Sequence, residues 1–203
     1  MKNLYPRRNC TKRINVRLWM NESQRRTLEM FFYLILLAAG CMLGTLCLLS
    51  GKAEELAGFC TAYAVPHIDG NIMLSSMKWC SSLLTASFFL GFCGIGQPFL
   101  CLLLAFHGFG TGCALAGLFS DYLLENISVC IIAAVFAVLV SMTLLLGVRE
   151  SVRLSFAYIK AYFYDTDTSE MRQRLRMCFL RYIVLAFLIT AECGFFALAY
   201  NFI

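Results

Sequence analysis

Glu192 and His107 are the residues of this sequence whose type and setting most invite chemistry. Glu192 is the only charged residue between Tyr182 and Ile203, and His107 stands in a stretch, Trp79–Ser120, that has no Asp, Glu, Lys or Arg. A carboxyl group at the centre of an apolar helix costs about 2.5–3.5 kcal/mol on membrane-insertion scales, so it must be protonated or hydrogen-bonded to a neighbouring helix. Two roles suit these residues. One is a proton or cation site. The other is an interhelical hydrogen bond, worth about 0.6–2 kcal/mol.

Other chemistry is sparse. His67 and Asp69 are two metal-binding side chains where a zinc site needs three or four, so no metal site is expected. The sequence holds no G-x-S-x-G, no H-E-x-x-H, no P-loop and no pair of membrane aspartates. No catalytic residues and no cofactor are assigned. Eleven cysteines would suggest a disulfide scaffold in a short secreted chain. Here Cys41, Cys47, Cys93, Cys101, Cys113, Cys130 and Cys193 lie inside apolar runs, without a C-x-x-C pair, and read as small apolar thiols. Cys60 and Cys80 flank one loop and are the pair placed to meet as a disulfide.

The elements that must hold these residues are set by composition. The chain has 203 residues, 60% hydrophobic and 14% charged, with a mean hydropathy of +0.73. Soluble domains carry about 25% charge. The difference excludes an ordinary cytosolic enzyme, a disordered regulator and a nucleic-acid-binding domain, and predicts an all-α integral membrane protein. Residues 30–50 form the first uncharged run, about 30 Å as a helix. The 42 residues of Trp79–Ser120 would make a helix of about 63 Å, twice what a bilayer needs, so the run must turn. Gly94, Gly96 and Pro98 mark the turn and divide it into spans 79–96 and 98–119. Residues 127–148 and 182–203 give the fourth and fifth spans. The expected organisation is a basic segment, 1–29, followed by a five-helix membrane domain, 30–203.

Basic residues near span ends set orientation. With the N-terminus in the cytoplasm, segment 1–29 and loop 149–181 together place 15 Lys and Arg inside, and Lys52 and Lys78 lie outside. The C-terminus then lies on the extracytoplasmic side, in a multi-pass protein of the cell membrane. Asn21 and Gln24 resemble a capping box for a helix beginning at Glu22. In the loop 149–181, Arg149, Arg153 and Lys160 share one face of a helix, with Phe156, Ile159, Tyr162 and Phe163 over much of the rest. That pattern predicts a cytoplasmic interfacial helix against the lipid bilayer. A coupling helix for a cytoplasmic ATPase has a similar pattern.

Small residues recur four apart. Gly40 and Gly44 lie in the first span, and Gly108, Gly112 and Ala116 in the third. Such spacing lets helices approach closely, within one bundle or between copies in a homo-oligomer.

Five spans with a basic inner N-terminus resemble the stage II sporulation protein M family. The resemblance is carried by Phe88–Phe119, FFLGFCGIGQPFLCLLLAFHGFGTGCALAGLF, with Gly94, Gly96 and Pro98 at the turn, then Gly108 and Gly112. Glu192 matches an acidic residue that the family tends to carry in the last span. The resemblance implies a non-catalytic scaffold of the septal membrane. Its partners would be stage II sporulation proteins D and P, peptidoglycan-degrading enzymes of septal wall thinning and forespore engulfment. The alternative from the residues is the permease subunit of a transporter that pairs with a cytoplasmic ATPase, motivated by Glu192, His107 and the 149–164 segment. Five spans do not divide into an even inverted repeat, which counts against transport.

Overall fold

The computed structural model of the protein describes residues 22–50, 72–122, 126–164 and 168–201. Segment 1–21, His67, Asp69 and Cys60 lie outside them. The described residues are helical throughout, with no strand: α1 (Glu22–Leu49), α2 (Ile72–Phe92), α3 (Gly96–Tyr122), α4 (Ile127–Tyr164) and α5 (Thr168–Asn201). Among them α1, α3, α4 and α5 are long and apolar enough to cross a membrane, the architecture expected of a multi-pass membrane protein. α2, of 21 residues, is also long enough to cross a bilayer, and it carries Lys78 and a series of serines.

Residue pairs across the interfaces fix the relative directions of the helices. In α1 and α3, Gly40 faces Ala105 and Phe109 while Gly44 faces Phe109 and Cys113, so the two run parallel. α2 and α4 also run parallel, since Leu84 meets Gly147, Gly91 meets Ser151 and Gly94 meets Ile159. α4 and α5 are antiparallel, with Phe136 stacked on Phe196 and Glu150 bonded to Arg181. α3 and α4 are antiparallel as well, joined by His107 to Ser141 and by Cys130 to the Leu118 carbonyl. Thus α1, α3 and α5 point one way and α2 and α4 the other.

α4 is the central element. Its Val140 and Leu154 join Cys80, Leu84, Cys178, Tyr182, Leu185, Ile189 and Cys193 in one buried cluster with α2 and α5. Its Leu144, Leu145, Val148 and Val152 join Tyr33, Leu83, Leu100 and Leu104 in a second, with α1, α2 and α3. Outward faces stay apolar, as on α1, where Phe31, Ile35, Met42, Leu46 and Leu49 are exposed. In water such a surface would associate, whereas in lipid it needs no cover.

Each expected span shifts at one end or both. Span 79–96 is instead the helix Ile72–Phe92, which starts earlier and takes in Lys78. The turn closes over Cys93–Ile95, with the Gly96 N–H donating to the Cys93 carbonyl at 2.9 Å. A Cβ at Gly96 would strike the Leu90 carbonyl oxygen, so the turn needs glycine there, and Pro98 occupies the first turn of α3, where no N–H is required.

The largest correction concerns 149–181. These residues do not form a loop with a separate interfacial helix. Residues 149–164 continue α4 without a break, giving 38 residues and about 57 Å, and 168–181 already belong to α5. No glycine or proline stands between Val148 and Tyr164, so nothing in the backbone stops the helix where charge returns. The extension is also packed: Ser151, Val152, Leu154 and Ser155 are buried, and the Ser155 hydroxyl donates to the carbonyls of Cys93 and Gly94 at 2.9 and 3.2 Å.

Candidate functional site

Polar side chains inside the apolar bundle gather at three places, each with α4 on one side. The first is Glu192. Thr143 donates its hydroxyl proton to Glu192 Oε1 at 2.7 Å, bonding α4 to α5. Glu192 is 9% exposed, and its Oε2 is buried without a hydrogen-bond partner among the described residues. Beside it lies an apolar groove of about 220 Å³ between α4 and α5, lined by Ile131, Val135, Leu139, Phe195 and Phe196. A protonated carboxyl would carry its hydrogen on Oε2, because Oε1 already accepts from Thr143. The arrangement can hold two helices together, and it can hold a proton.

The second place is His107. Its Nε2 is 3.1 Å from Ser141 Oγ, bonding α3 to α4. The structure does not bring His107 and Glu192 together. Their partners Ser141 and Thr143 are two residues apart, about 200° around α4. The histidine and the carboxyl therefore approach α4 from opposite sides, and no hydrogen bond among the described residues links the two.

The third place is a hydroxyl cluster that sequence reasoning missed. Ser87 of α2 and Ser151 of α4 are fully buried, and Tyr182 of α5 nearly so. Ser87 donates to the Leu84 carbonyl, Ser151 to the Ser87 carbonyl and Tyr182 to the Gly147 carbonyl, each at 2.7 Å. The Tyr182 hydroxyl also contacts Ser151 Oγ, and lies 3.1 Å from Ser87 Oγ. Three hydroxyl hydrogens thus serve three carbonyls, and three helices meet at one point. Gly147 gives the room, because a Cβ there would come within 2.9 Å of Leu84 Cδ1 and 3.7 Å of Tyr182 Oη. No histidine, lysine or carboxylate takes part in these bonds, so the cluster lacks a base to activate a hydroxyl.

The glycine series lies at the α1–α3 contact. Cβ atoms at Gly40 and Gly44 would strike the carbonyl oxygens of Ala105 and Phe109, and at Gly108 and Gly112 those of Leu37 and Cys41. The two backbones therefore touch on both sides of the seam. Cys113 Sγ donates to the Gly44 carbonyl at 3.2 Å, and Thr45 Oγ1 to the Cys41 carbonyl at 3.0 Å. Ala116, one turn beyond Gly112, is half-buried.

The basic residues 149, 153 and 160 are spread along the α4 extension. Arg149 and Arg153 approach Tyr33 of α1, and Lys160 is exposed. Arg153 donates to Glu150 Oε1 at 2.9 Å, and Arg181 of α5 to Glu150 Oε2. Cys80 and Cys193 are buried in one cluster between α2 and α5, so the described thiol neighbour of Cys80 is one of the last helix. No group of three or more metal-ligating side chains occurs among the described residues.

Comparison of the chain with family models, curated proteins and solved structures gives no match.

Proposed function

We propose that the protein is a non-catalytic membrane scaffold: a five-helix bundle, with α2 as the fifth span, that presents its ends and lipid-facing surfaces to membrane-anchored partners. One observation carries this reading. The polar groups within the bundle, Thr143 with Glu192, His107 with Ser141, and Ser87, Ser151 and Tyr182, join helices to one another. α2 suits a span because its hydroxyls bond back to its own helix, Ser81 to the Lys78 carbonyl, Ser82 to that of Trp79 and Thr85 to that of Ser81. The helix directions alternate, as consecutive spans require, and the basic residues favour the N-terminus inside and the C-terminus outside the cytoplasm.

The choice of partners rests on the resemblance to stage II sporulation protein M. On that reading they are peptidoglycan-degrading enzymes, stage II sporulation proteins D and P, in the septal membrane. The test is affinity capture of the tagged chain from membranes of a sporulating host, followed by mass spectrometry. Wall hydrolases are the expected companions, and normal hydrolase recruitment in cells lacking the chain would sink the scaffold reading.

Glu192 motivates a second reading, the permease subunit of a transporter. Its buried Oε2 beside an apolar groove is the observation in favour. Capture of a cytoplasmic ATPase, with a flux abolished by Glu192→Gln, would establish it instead.

A further inference from the structure

The apolar runs of α4 and α5 end at the same level. The uncharged part of α4 closes at Val148 and that of α5 opens at Tyr182, and just beyond these residues Glu150 meets Arg181. There the two helical extensions enclose a cleft of about 510 Å³, whose lining includes Glu150, Arg153, Arg174 and Arg181 above an apolar floor of Leu154 and Met177. Among the described lining residues, three guanidiniums stand against one carboxylate, a net positive set.

Pairing with Glu150 does not exhaust the arginines. A guanidinium has five N–H donors in a planar fork, and the bond from Arg153 or Arg181 to Glu150 uses one nitrogen of each. Glu150 is mostly buried, while Arg153 and Arg181 keep 36% and 51% of their side-chain surface exposed. The remaining donors suit a tetrahedral phosphate oxyanion, which arginine binds in bidentate fashion.

We propose that this cleft binds the phosphodiester headgroup of an anionic phospholipid. Two features favour a lipid over a free anion. The cleft lies where apolar helix surface gives way to charged surface, the boundary that a bilayer would meet with its headgroups, and Leu154 and Met177 in its lining offer apolar contact that inorganic phosphate cannot use. Basic pockets between membrane helices bind acidic headgroups on these terms. The proposal does not depend on the scaffold reading.

Native mass spectrometry of the full chain, stripped of lipid and offered phosphatidylglycerol or phosphatidylcholine, tests it. Phosphatidylglycerol should be retained about tenfold more strongly, and Arg153→Gln with Arg174→Gln should remove most of that preference. The charge-matched pair Arg172→Gln with Arg176→Gln, on residues that do not line the cleft, should leave it intact. Glu150→Gln keeps every arginine and makes the cleft more positive, so it should strengthen retention, and it decides the matter if the double variant does not fold. Equal retention of the two lipids would overturn the proposal. So would equal losses in the two double variants, unchanged or weaker retention in Glu150→Gln, or displacement of the lipid by millimolar inorganic phosphate, which would make the site one for free anions.

Discussion

Gly112 of α3 lies so close to Cys41 of α1 that a single methyl group on it would overlap the Cys41 carbonyl. The reverse contact, Gly40 on the Ala105 carbonyl, closes the same seam from the other side. Gly112→Ala or Gly40→Ala should each destabilise the bundle by about 1–3 kcal/mol, because backbone rather than a flexible side chain must move. Gly110→Ala and Gly194→Ala, which meet nothing within 4 Å, should be neutral. Thermal unfolding of the four variants in one detergent makes the comparison.

Tyr182 holds three helices through one oxygen. Tyr182→Phe removes the donor to the Gly147 carbonyl and the contacts with Ser87 and Ser151. A loss of about 1 kcal/mol is expected, typical of one interhelical hydrogen bond. Unchanged unfolding would show that the hydroxyl cluster adds nothing to stability.

For Glu192, size and polarity can be separated. Glu192→Gln keeps an acceptor for Thr143, so a scaffold should keep both stability and partner capture. Glu192→Leu leaves the Thr143 hydroxyl without its carboxylate partner and should cost about 1 kcal/mol, with Thr143→Val giving no further loss in the double variant. The buried Oε2 at an apolar groove also predicts a reagent preference. A lipid-soluble carbodiimide should modify Glu192 and a water-soluble one should not, as read by peptide mass spectrometry.

The contact between Cys80 and Cys193 gives a direct check on how α2 and α5 lie together. In a chain whose other cysteines are replaced, a membrane-permeable oxidant should join these two thiols within one molecule, and thiol-reactive mass tags added after unfolding should no longer find them. Retention of both tags would mean that the helices are placed differently.

Much of this architecture could be read from the residues. Uncharged runs reveal helices, and Gly94, Gly96 and Pro98 locate the turn, because a long apolar stretch must reverse somewhere. The spacing of Gly40, Gly44, Gly108 and Gly112 announces close approach. It does not say that these four face one another, since the same spacing suits a contact between copies. The hydroxyl cluster was hidden, because Ser87, Ser151 and Tyr182 lie on three helices, the first two 64 positions apart. The extension of α4 was misread for a physical reason. Return of charge marks where a chain leaves lipid, but only a helix breaker or a lost packing face ends a helix, and residues 149–164 have neither breaker nor, over 151–155, an unpacked face.

The seam between α1 and α3 also constrains the order in which the protein can be built. α1 makes most of its close contacts with α3, and the Cys113 thiol that bonds Gly44 is synthesised 69 residues later. Until α3 has been made, the glycine face of α1 is without the helix that covers it in the finished fold. Assembly therefore includes a long-range capture step, in which the arriving α3 closes over that face. A chain arrested after α2 would leave Gly40 and Gly44 of α1 without the backbone they pack against.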